Sequence, residues 1–481
     1  MNTSLNFYSV VSELRHQAIA LSSIFVLWIM SAATAHSQSA GIPIEHFIFI
    51  IQENHSFDNY FGTYPGANGI PPGTLLADFP GGPLLHAPQL ETETHISNDL
   101  PHGWLCYRVA WDNGMMDGFL WAEYRQGYNY YGKSIAVPTP NPNLVKIVKR
   151  KTSSSSAARL APTNGEFISP HGFTDDEDDD APWIGEANEE LAKTDPAPTG
   201  TPNPKDRPSW VLETLRYMDR SVIPNYWNYA DHYTLCDAFF SSVSGASLPN
   251  HLYPVAAQSG AVVKNMLVGR TNFIYYMFPS VIELLGNAGV TWKYYSGVSP
   301  LKEGVWNPLP GFRNYANISE TELKSHLGDT AAFLKDVKDG TLPQVCWITP
   351  TPTESEHPPN DVQVGMWYVT GLINAVMESN YWNSCAIVLF YDESGGFYDH
   401  VPPPQVDEFG FGFRVPALVI SPWSRAGTVV HTRYDQTSPL KLVEIKYGLQ
   451  SLTTRDGSSN SMLDCFDFTQ TPLPADIIKR K

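Results

Sequence analysis

Cysteine and basic residues are both scarce in this sequence, and each shortage argues against a class of protein. Only five cysteines are scattered over 481 residues and none forms a C-x-x-C pair, which argues against a thiolate zinc site. Lysine and arginine number 31 against 49 acidic residues, a formal net charge of −18. No basic excess is available to displace counterions from nucleic acid. Non-specific nucleic-acid binding is therefore disfavoured, whereas small anionic substrates respond to local charge and stay possible.

Long apolar runs are missing except near the N-terminus. Arg15 and His16 precede a mainly apolar run at 18–30, and an A-x-A-type cleavage site follows at 33–35. The run is shorter than the roughly 20 residues that span a bilayer, although an uncleaved anchor is the alternative. We interpret residues 1–35 as a signal peptide, which predicts a secreted or periplasmic protein.

The sequence also lacks a G-x-S-x-G motif around Ser247, its best candidate for a nucleophilic serine. Gly245 and Ala246 permit a tight turn, and Pro249 disfavours helix for the residue before it. A turn of this kind would expose the hydroxyl, an ordinary turn serine being the alternative. The missing motif disfavours the nucleophile elbow of lipases and esterases.

The apolar run at 47–51 indicates the fold class. It is unbroken and rich in β-branched and aromatic residues, as in a strand buried on both faces of a parallel sheet. Glu53 and Asn54 follow it closely. Ligands of open α/β sheets bind outside the carboxyl ends of the strands. These two residues are therefore candidates for binding, a polar turn being the alternative.

Three apolar runs in the last third repeat this pattern, at 344–348, 386–391 and 415–420, and each leads into polar residues. Residues 366–378, between the first two, have helical spacing and suit a βαβ crossover. We predict an α/β fold with a mostly parallel central sheet whose strands deliver polar groups to one edge.

Asp392 and Glu393 directly follow the second of these runs. If their strand neighbours that of Glu53 and Asn54, three carboxylates meet and repel one another unless a cation lies among them. An all-oxygen set favours Ca²⁺, Mg²⁺ or Mn²⁺, and adding His357 or His400 would admit Zn²⁺ or Fe. The alternative is that Asp392 and Glu393 only cap a turn.

His102 lies in an irregular stretch at 99–104. It could position a phosphate or act as an acid, and packing beside Trp104 is the alternative. From about residue 133 to residue 208, prolines, a basic cluster, a serine run and an acidic run replace any hydrophobic period. We predict a long surface insertion there, partly disordered.

Five segments, in order, resemble the bacterial phospholipase C and acid phosphatase phosphoesterase family of the alkaline-phosphatase-like superfamily. They lie at 53–62, 245–251, 356–359, 391–401 and 431–438. Ser247 and His251 look more like the acid phosphatase branch, because the phospholipase C branch usually has Thr and Arg there. Gln436 stands where a histidine is common in the family.

The resemblance implies a three-layer α/β/α sandwich and a hydrolase that passes through a phosphoserine at Ser247. It also implies a divalent metal ion held by Glu53, Asn54, Asp392 and Glu393. His102 and His357 match histidines that surround the phosphate. His251 and His400 are implied only as neighbours of the active site.

We therefore expect one phosphoesterase domain at 41–465, followed by a C-terminal tail at 466–481. The expected activity is exported, metal-dependent hydrolysis of a phospholipid diester or a soluble phosphomonoester. A lipid substrate would bring the enzyme into transient contact with a membrane surface. A serine carboxylesterase or lipase, and a catalytically inactive binding protein on the same fold, are the alternatives. The oligomeric state is left open.

Overall fold

The computed structural model describes residues 41–125, 138–149, 208–265, 272–298, 304–312 and 320–480. The predicted signal peptide lies outside these ranges, as does most of the predicted insertion. Eight strands form the central sheet, and we number them in chain order. They are β1 (His46–Gln52), β2 (Thr234–Cys236), β3 (Trp292–Ser296), β4 (Leu327–Gly328), β5 (Val345–Thr349), β6 (Cys385–Tyr391), β7 (Ala417–Ile420) and β8 (Thr428–Val430). Their order in space is β4-β3-β5-β1-β6-β7-β2-β8.

β1 lies inside the sheet, parallel to β5 on one side and to β6 on the other. Each of its residues after His46 is buried. A strand with neighbours at both edges and helices on both faces has no solvated side, so its sequence is continuously apolar rather than alternating. The prediction of a buried parallel strand here is confirmed.

Helices cover both faces of this sheet. They are α1 (Phe57–Phe61), α2 (Trp104–Trp111), α3 (Phe119–Arg125), α4 (Pro224–His232), α5 (Ser247–Ala256), α6 (Val281–Asn287), α7 (Glu320–His326), α8 (Thr330–Asp339), α9 (Val362–Met377), α10 (Thr437–Tyr447) and α11 (Thr454–Gly457). His46 contacts Tyr381, which follows α9, whereas Phe47 contacts Tyr447, the last residue of α10. Successive strand residues point to opposite faces, so α9 and α10 lie on opposite sides of the sheet. The predicted α/β fold with three layers is confirmed.

The crossover from β5 to β6 runs through α9, as the helical spacing indicates. Asp361 caps the helix by accepting a hydrogen bond from the backbone N–H of Gln363. The two strands are not adjacent, because β1 lies between them. This crossover brings the carboxyl ends of β5, β1 and β6 to one edge of the sheet.

β7 departs from the prediction because it runs antiparallel to both of its neighbours, β6 and β2. Its carboxyl end therefore lies at the opposite edge, where the Ser421 hydroxyl donates to the backbone carbonyl of Cys385 at the start of β6. The expectation that this strand also delivers polar groups to the common edge is wrong. An apolar run reveals burial but does not reveal strand direction.

Shorter strands and 3₁₀ turns complete the described structure. The strands are Leu76–Ala77, Leu84–His86, Gln89–Leu90, Val145–Lys149, Arg216–Tyr217, Phe239–Phe240, Asn272–Tyr276 and Tyr434–Asp435. The 3₁₀ turns are Asp112–Gly114, Ser209–Leu215, Leu309–Gly311, Pro352–Glu354, Asn380–Ser384 and Leu463–Cys465. Strand Val145–Lys149, within the predicted insertion, pairs antiparallel with Asn272–Tyr276.

The segment after residue 465 packs onto the domain. Phe466 is buried, and Leu473 and Ile478 pack against the main core. Where the domain ends and a tail begins stays a prediction. In the described ranges, no helix combines the length and the apolar character that crossing a bilayer requires.

Candidate active site

The carboxyl ends of β1 and β6 lie side by side. The register pairs Gln52 with Tyr391, so the residues that follow each strand emerge together. The Asn54 backbone N–H donates to Asp392 Oδ1 at 3.0 Å, and the Glu393 backbone N–H donates to the same oxygen at 2.7 Å. The four predicted metal ligands are therefore brought together, as adjacent parallel strands require.

Asn54 has an unusual backbone conformation. Its φ is +61°, in the left-handed region that asparagine tolerates better than most residues. Gly395 (φ +58°) packs against it, and a Cβ at Gly395 would lie 2.5 Å from the Asn54 Cβ and carbonyl oxygen. Strain of this kind often accompanies functional sites. Here the left-handed backbone conformation places the Asn54 side chain beside the carboxylates.

Several buried oxygens of this cluster accept no hydrogen bond from the residues that the structure describes. These atoms are Glu53 Oε2, Asn54 Oδ1 and Asp392 Oδ2. Burial and the neighbouring Asp392 carboxylate raise the pKa of Glu53 and of Glu393 well above the usual range. Buried acceptors without donors, among carboxylates that repel one another, match the oxygen ligands that a hard divalent cation prefers. The residues present therefore fit a metal ion, as the sequence predicts.

Ser247 is the first residue of α5 and is buried facing this cluster. Its hydroxyl donates to Glu393 Oε1 at 3.0 Å. The Asn250 amide, one helical turn on, donates to the carbonyls of Gly245 and Ala246 and, at 3.4 Å, to Glu393 Oε2. Asn250 thus links the turn to the cluster of predicted metal ligands. We assigned it no role from sequence, although its spacing of three residues after Ser247 places it next to the turn.

His102 and His357 face the same space from two loops, with ring centroids 5.8 Å apart. The Nδ1 of His102 lies 2.5 Å from the carbonyl of Leu100, and the Nδ1 of His357 lies 2.7 Å from that of Pro358. A carbonyl only accepts, so each Nδ1 carries the proton and each Nε2 is the atom available to a ligand. His102 Nε2 lies 3.3 Å from Asn54 Nδ2 and 3.6 Å from Glu393 Oε1.

His251 lies among the carboxylates of the cluster, with its Nε2 3.9 Å from Asp392 Oδ2. Its Nε2 lies 2.9 Å from Glu53 Oε1, and the residue is buried. Burial lowers the pKa of His251 to about 4, so the ring is neutral at physiological pH and donates from Nε2 to Glu53. This contact fixes the orientation of the Glu53 carboxylate.

His400 lies in a different group of charges. Its Nδ1 lies 2.7 Å from Asp58 Oδ2, and its Nε2 lies 3.3 Å from Asn68 Oδ1. Asp58 and Asp399 are also bonded to the buried guanidinium of Arg414. The structure does not bring His400 into contact with the predicted nucleophile or metal ligands.

Gln436, which by resemblance stands where a histidine is expected, is buried near the end of β6. Its amide nitrogen donates to the backbone carbonyls of Tyr391 and Asp392, at 3.2 and 2.5 Å. Its amide oxygen accepts from the Ser242 backbone N–H at 3.1 Å. The side chain therefore ties the end of β6 to the segment that leads to Ser247.

Glu356, just before His357, is a buried residue to which we assigned no role from sequence. The hydroxyls of Tyr60, Tyr226 and Tyr391 and the amide of Gln52 donate to its carboxylate. Burial raises the pKa of Glu356 to about 7, although these donors oppose the shift. A surplus of tyrosines near the strand ends was the only available signal, and it does not distinguish this site from ordinary core.

Comparison with known proteins adds a family to this geometry. The profile of the Phosphoesterase family matches residues 44–140 and 137–450. Phospholipase C B of Mycobacterium tuberculosis is 26% identical over 90% of this chain and 79% of its own length. Non-hemolytic phospholipase C of Burkholderia pseudomallei is 26% identical over 84% of this chain, which spans 55% of that protein.

Solved structures overlap with this chain less extensively. An alkaline phosphatase superfamily protein from Vibrio parahaemolyticus covers 50% of this chain and 63% of its own, with 11% identity and a TM-score of 0.33.

Proposed function

Because this chain belongs to the Phosphoesterase family, we propose that it is a metal-dependent, exported enzyme that hydrolyses phosphate esters through a phosphoserine at Ser247. It is a phosphoric ester hydrolase, like the phospholipases C that it resembles over most of its length. The observation that carries the residue assignment is the Ser247 hydroxyl, which donates to Glu393 beside three buried oxygens without donors.

The first half of the reaction transfers the phosphoryl group to the enzyme. Ser247 Oγ forms a bond to phosphorus while the bond from phosphorus to the leaving alcohol oxygen breaks. The Ser247 proton passes to Glu393 Oε1, which already accepts its hydrogen bond. The leaving oxygen takes a proton from the Nε2 of His102 or His357, and this step starts from the imidazolium form because the Nδ1 of each ring also carries a proton.

The second half returns the enzyme to its starting state. A water oxygen forms a bond to phosphorus, and the bond from phosphorus to Ser247 Oγ breaks. The histidine that gave up its proton takes one from this water, and Ser247 Oγ recovers its proton from Glu393. Because Glu393 Oε2 accepts from Asn250, the carboxyl group stays aligned through both halves.

Glu53, Asn54, Asp392 and Glu393 would hold the divalent ion in this proposal. A bound ion would polarise a phosphoryl oxygen and lower the pKa of a nearby hydroxyl. His251 keeps the Glu53 carboxylate in its orientation through the contact of its Nε2 with Glu53 Oε1. His400 has no part in the reaction, because its contacts are those of the Arg414 group.

The substrate is a phospholipid or another phosphate ester. The names of the relatives favour a phospholipid diester over a soluble monoester. A lipid substrate implies transient contact with a membrane surface.

The decisive experiment compares three chromogenic esters: p-nitrophenyl phosphate, p-nitrophenyl phosphorylcholine and p-nitrophenyl butyrate. We expect hydrolysis of at least one phosphate ester, loss of that activity with a chelator, and recovery on adding a divalent ion. Ser247→Ala should lower kcat by at least about a thousandfold. Butyrate hydrolysis that survives chelation, without phosphate ester turnover, would establish the carboxylesterase alternative instead.

A matched control is Ser244→Ala, because Ser244 is also a buried serine of this turn but donates only to the carbonyl of Phe411. It should keep kcat within about threefold of the wild type. Equal losses in both variants would mean that the turn, and not the Ser247 hydroxyl, is required.

A further inference from the structure

Cys236 and Cys465 are two buried cysteines whose sulfur atoms are in contact. Their Sγ atoms lie 3.7 Å apart, although 229 positions separate the two residues in the sequence. Both residues are completely buried. Neither belongs to a short cysteine motif, so their proximity is a result of folding. Two thiols that folding brings into contact are candidates for a covalent bond.

Backbone contacts hold the two segments together. Cys236 ends β2, which lies between β7 and β8 in the sheet, and Cys465 ends the 3₁₀ turn Leu463–Cys465. The carbonyl of Cys465 accepts from the Thr234 hydroxyl and from the Arg425 backbone N–H, each at 3.0 Å. A disulfide bond brings its sulfur atoms to about 2 Å. Because the backbones are already bonded to each other, the remaining approach falls to the two side chains.

Two other buried cysteines have different surroundings. The thiol of Cys346 donates to the carbonyl of Pro343 at 3.6 Å, and the thiol of Cys385 donates to the carbonyl of Trp382 at 3.5 Å. Each of these thiols is therefore bonded to the backbone three positions before it. Contact between sulfur atoms distinguishes the first pair from these two residues.

We propose that Cys236 and Cys465 are a disulfide site, oxidised by thiol–disulfide exchange with a disulfide compound such as oxidised glutathione. In the first step, the thiolate of one cysteine bonds to one sulfur of the oxidant, and the sulfur–sulfur bond of the oxidant breaks. In the second step, the other cysteine attacks this mixed disulfide and releases the second half of the oxidant. The two thiol protons end on the two released thiols, so the protein loses the two electrons that the oxidant gains.

The bond forms while the chain folds rather than afterwards. The attacking form of a cysteine is the thiolate. The hydrogen bond with Cys465, together with burial, raises the pKa of the Cys236 thiol well above its usual range. The reduced pair in the folded protein is therefore hard to reach and hard to ionise. This inference goes beyond the proposed hydrolase function and is independent of it, because it needs only the two thiols and an oxidant.

The bond stabilises the folded protein through the unfolded chain. A cross-link restricts the conformations of the unfolded chain, and the restriction grows with the length of the enclosed loop. Here the enclosed loop runs from β2 to the turn that ends at Cys465, which is a large part of the domain. The segment after Cys465, where Phe466 is buried, is thereby joined covalently to the central sheet.

The first measurement detects the bond directly. The full chain is expressed in a bacterial host with an oxidising cytoplasm, its free thiols are alkylated in denaturant, and it is digested without reductant. Mass spectrometry should find the peptides of Cys236 and Cys465 joined, with a mass two hydrogen atoms below their sum. Cys346 and Cys385 should be alkylated. Alkylation of both Cys236 and Cys465 would overturn the proposal, as would a bond from either of them to a third cysteine.

The second measurement tests whether the bond stabilises the protein. In equilibrium urea unfolding, a phosphine reductant should lower the midpoint of the oxidised wild type by roughly 0.5–1 M. This shift should disappear in Cys465→Ala. The matched control is Cys385→Ala, which also removes a buried thiol but should keep the full shift caused by the reductant.

Three outcomes of the unfolding experiment would contradict the inference. An equal shift in Cys465→Ala and the wild type would assign the effect to another bond. Loss of the shift in Cys385→Ala would show that it depends on packing and not on this pair. No shift in the wild type would contradict a stabilising cross-link. Cys236→Ala provides the same comparison if Cys465→Ala does not fold, and mass spectrometry of the wild type needs no variant.

A third measurement separates a buried structural bond from a bond that responds to its surroundings. Because both cysteines are completely buried, the reductant should leave the joined peptides intact in the folded protein and separate them in urea. Reduction at the same rate in both conditions would show that the pair is reachable in the folded protein. That result would overturn the assignment of the bond to the buried core.

Discussion

Two of the acidic groups in the described part of the chain differ in how their charges are satisfied. The first, the strand-end cluster, consists of Glu53, Asn54, Asp392 and Glu393. The second, the arginine cluster, consists of Asp58, Asp399, His400 and Arg414. In the first, three buried oxygens have no donor.

The arginine cluster is balanced from within. Arg414 donates to Asp399 Oδ1 and Asp58 Oδ1, each at 2.9 Å. Its other nitrogen donates to the carbonyls of Asn68 and Asp237, each at 2.8 Å. Buried charges that have partners within the protein contribute to its structure. Buried charges without such partners are candidates for binding a ligand. The comparison predicts that substitutions in the first cluster affect activity and those in the second affect stability.

The largest expected effect comes from Asp392→Asn. It should lower kcat/KM roughly a thousandfold, because it removes a charge from the proposed metal site. Its side-chain oxygen still accepts from the N–H groups of Asn54 and Glu393, so the fold is kept. Urea unfolding of the chelated protein should give a stability equal to or higher than that of the wild type, since like-charge repulsion is relieved. Wild-type activity in this variant would contradict the role of the strand-end cluster.

Arg414→Leu should show the opposite behaviour, with a loss of about 3–5 kcal/mol in the free energy of unfolding. The variant leaves Asp58 and Asp399 buried without their cation. Arg220→Leu is the control, because its ion pair with Asp231 is partly exposed and should contribute within about 1 kcal/mol. Similar losses for the two variants in urea unfolding would remove the distinction between the clusters.

A divalent ion should stabilise the protein through the strand-end cluster alone. At about one hundred times its dissociation constant, it should add roughly 2.7 kcal/mol to the free energy of unfolding. Thermal unfolding with and without chelator measures this gain. We expect Glu53→Gln to abolish it and His400→Asn to retain it. A gain lost in His400→Asn would relocate the ion to the arginine cluster.

The smallest effect concerns Glu356, which has hydrogen-bond donors but no cationic partner among the described residues. Its folded-state pKa of about 7 lies above the usual 4.5, so the folded protein holds a proton that the unfolded chain has lost. Stability contributed by Glu356 is therefore fully present below pH 4.5 and falls as the pH rises towards 7. The slope is on the order of 1 kcal/mol per pH unit.

Glu356→Gln should flatten this slope in metal-saturated protein, as measured by urea unfolding from pH 5 to pH 8. Glu354→Gln is the control, because Glu354 is partly exposed and accepts from the Thr351 hydroxyl. It should keep the wild-type slope. Unchanged pH dependence in Glu356→Gln would mean that the buried carboxyl titrates at its ordinary pH.

Much of the candidate site could be predicted from the sequence because its residues follow strands. The apolar runs identify β1 and β6, and the residues just beyond them, Glu53, Asn54, Asp392 and Glu393, must emerge at an edge of the sheet. Ser247 could be identified because small residues and a proline surround it. The direction of β7 and the placement of His400 could not be predicted, because each depends on which distant segments pack together.

The partners of Cys236, Cys465 and Asn250 could not be predicted from the sequence either. Each is an ordinary residue in the sequence, and each becomes notable only through its partners in the folded chain. Hydrogen-bond satisfaction is a property of three-dimensional neighbours, so no local pattern encodes it.

The sequence by itself determined the buried strands, the residues at their ends and the turn that carries Ser247, because burial and turn formation follow from local composition. The tertiary structure alone decided which of these groups have partners. In the folded chain, Asp392 has an oxygen without a donor, whereas Asp399 is bonded to Arg414. The physical reason is that a charge is satisfied by what lies within a few ångströms of it, and folding brings those atoms together from distant parts of the chain.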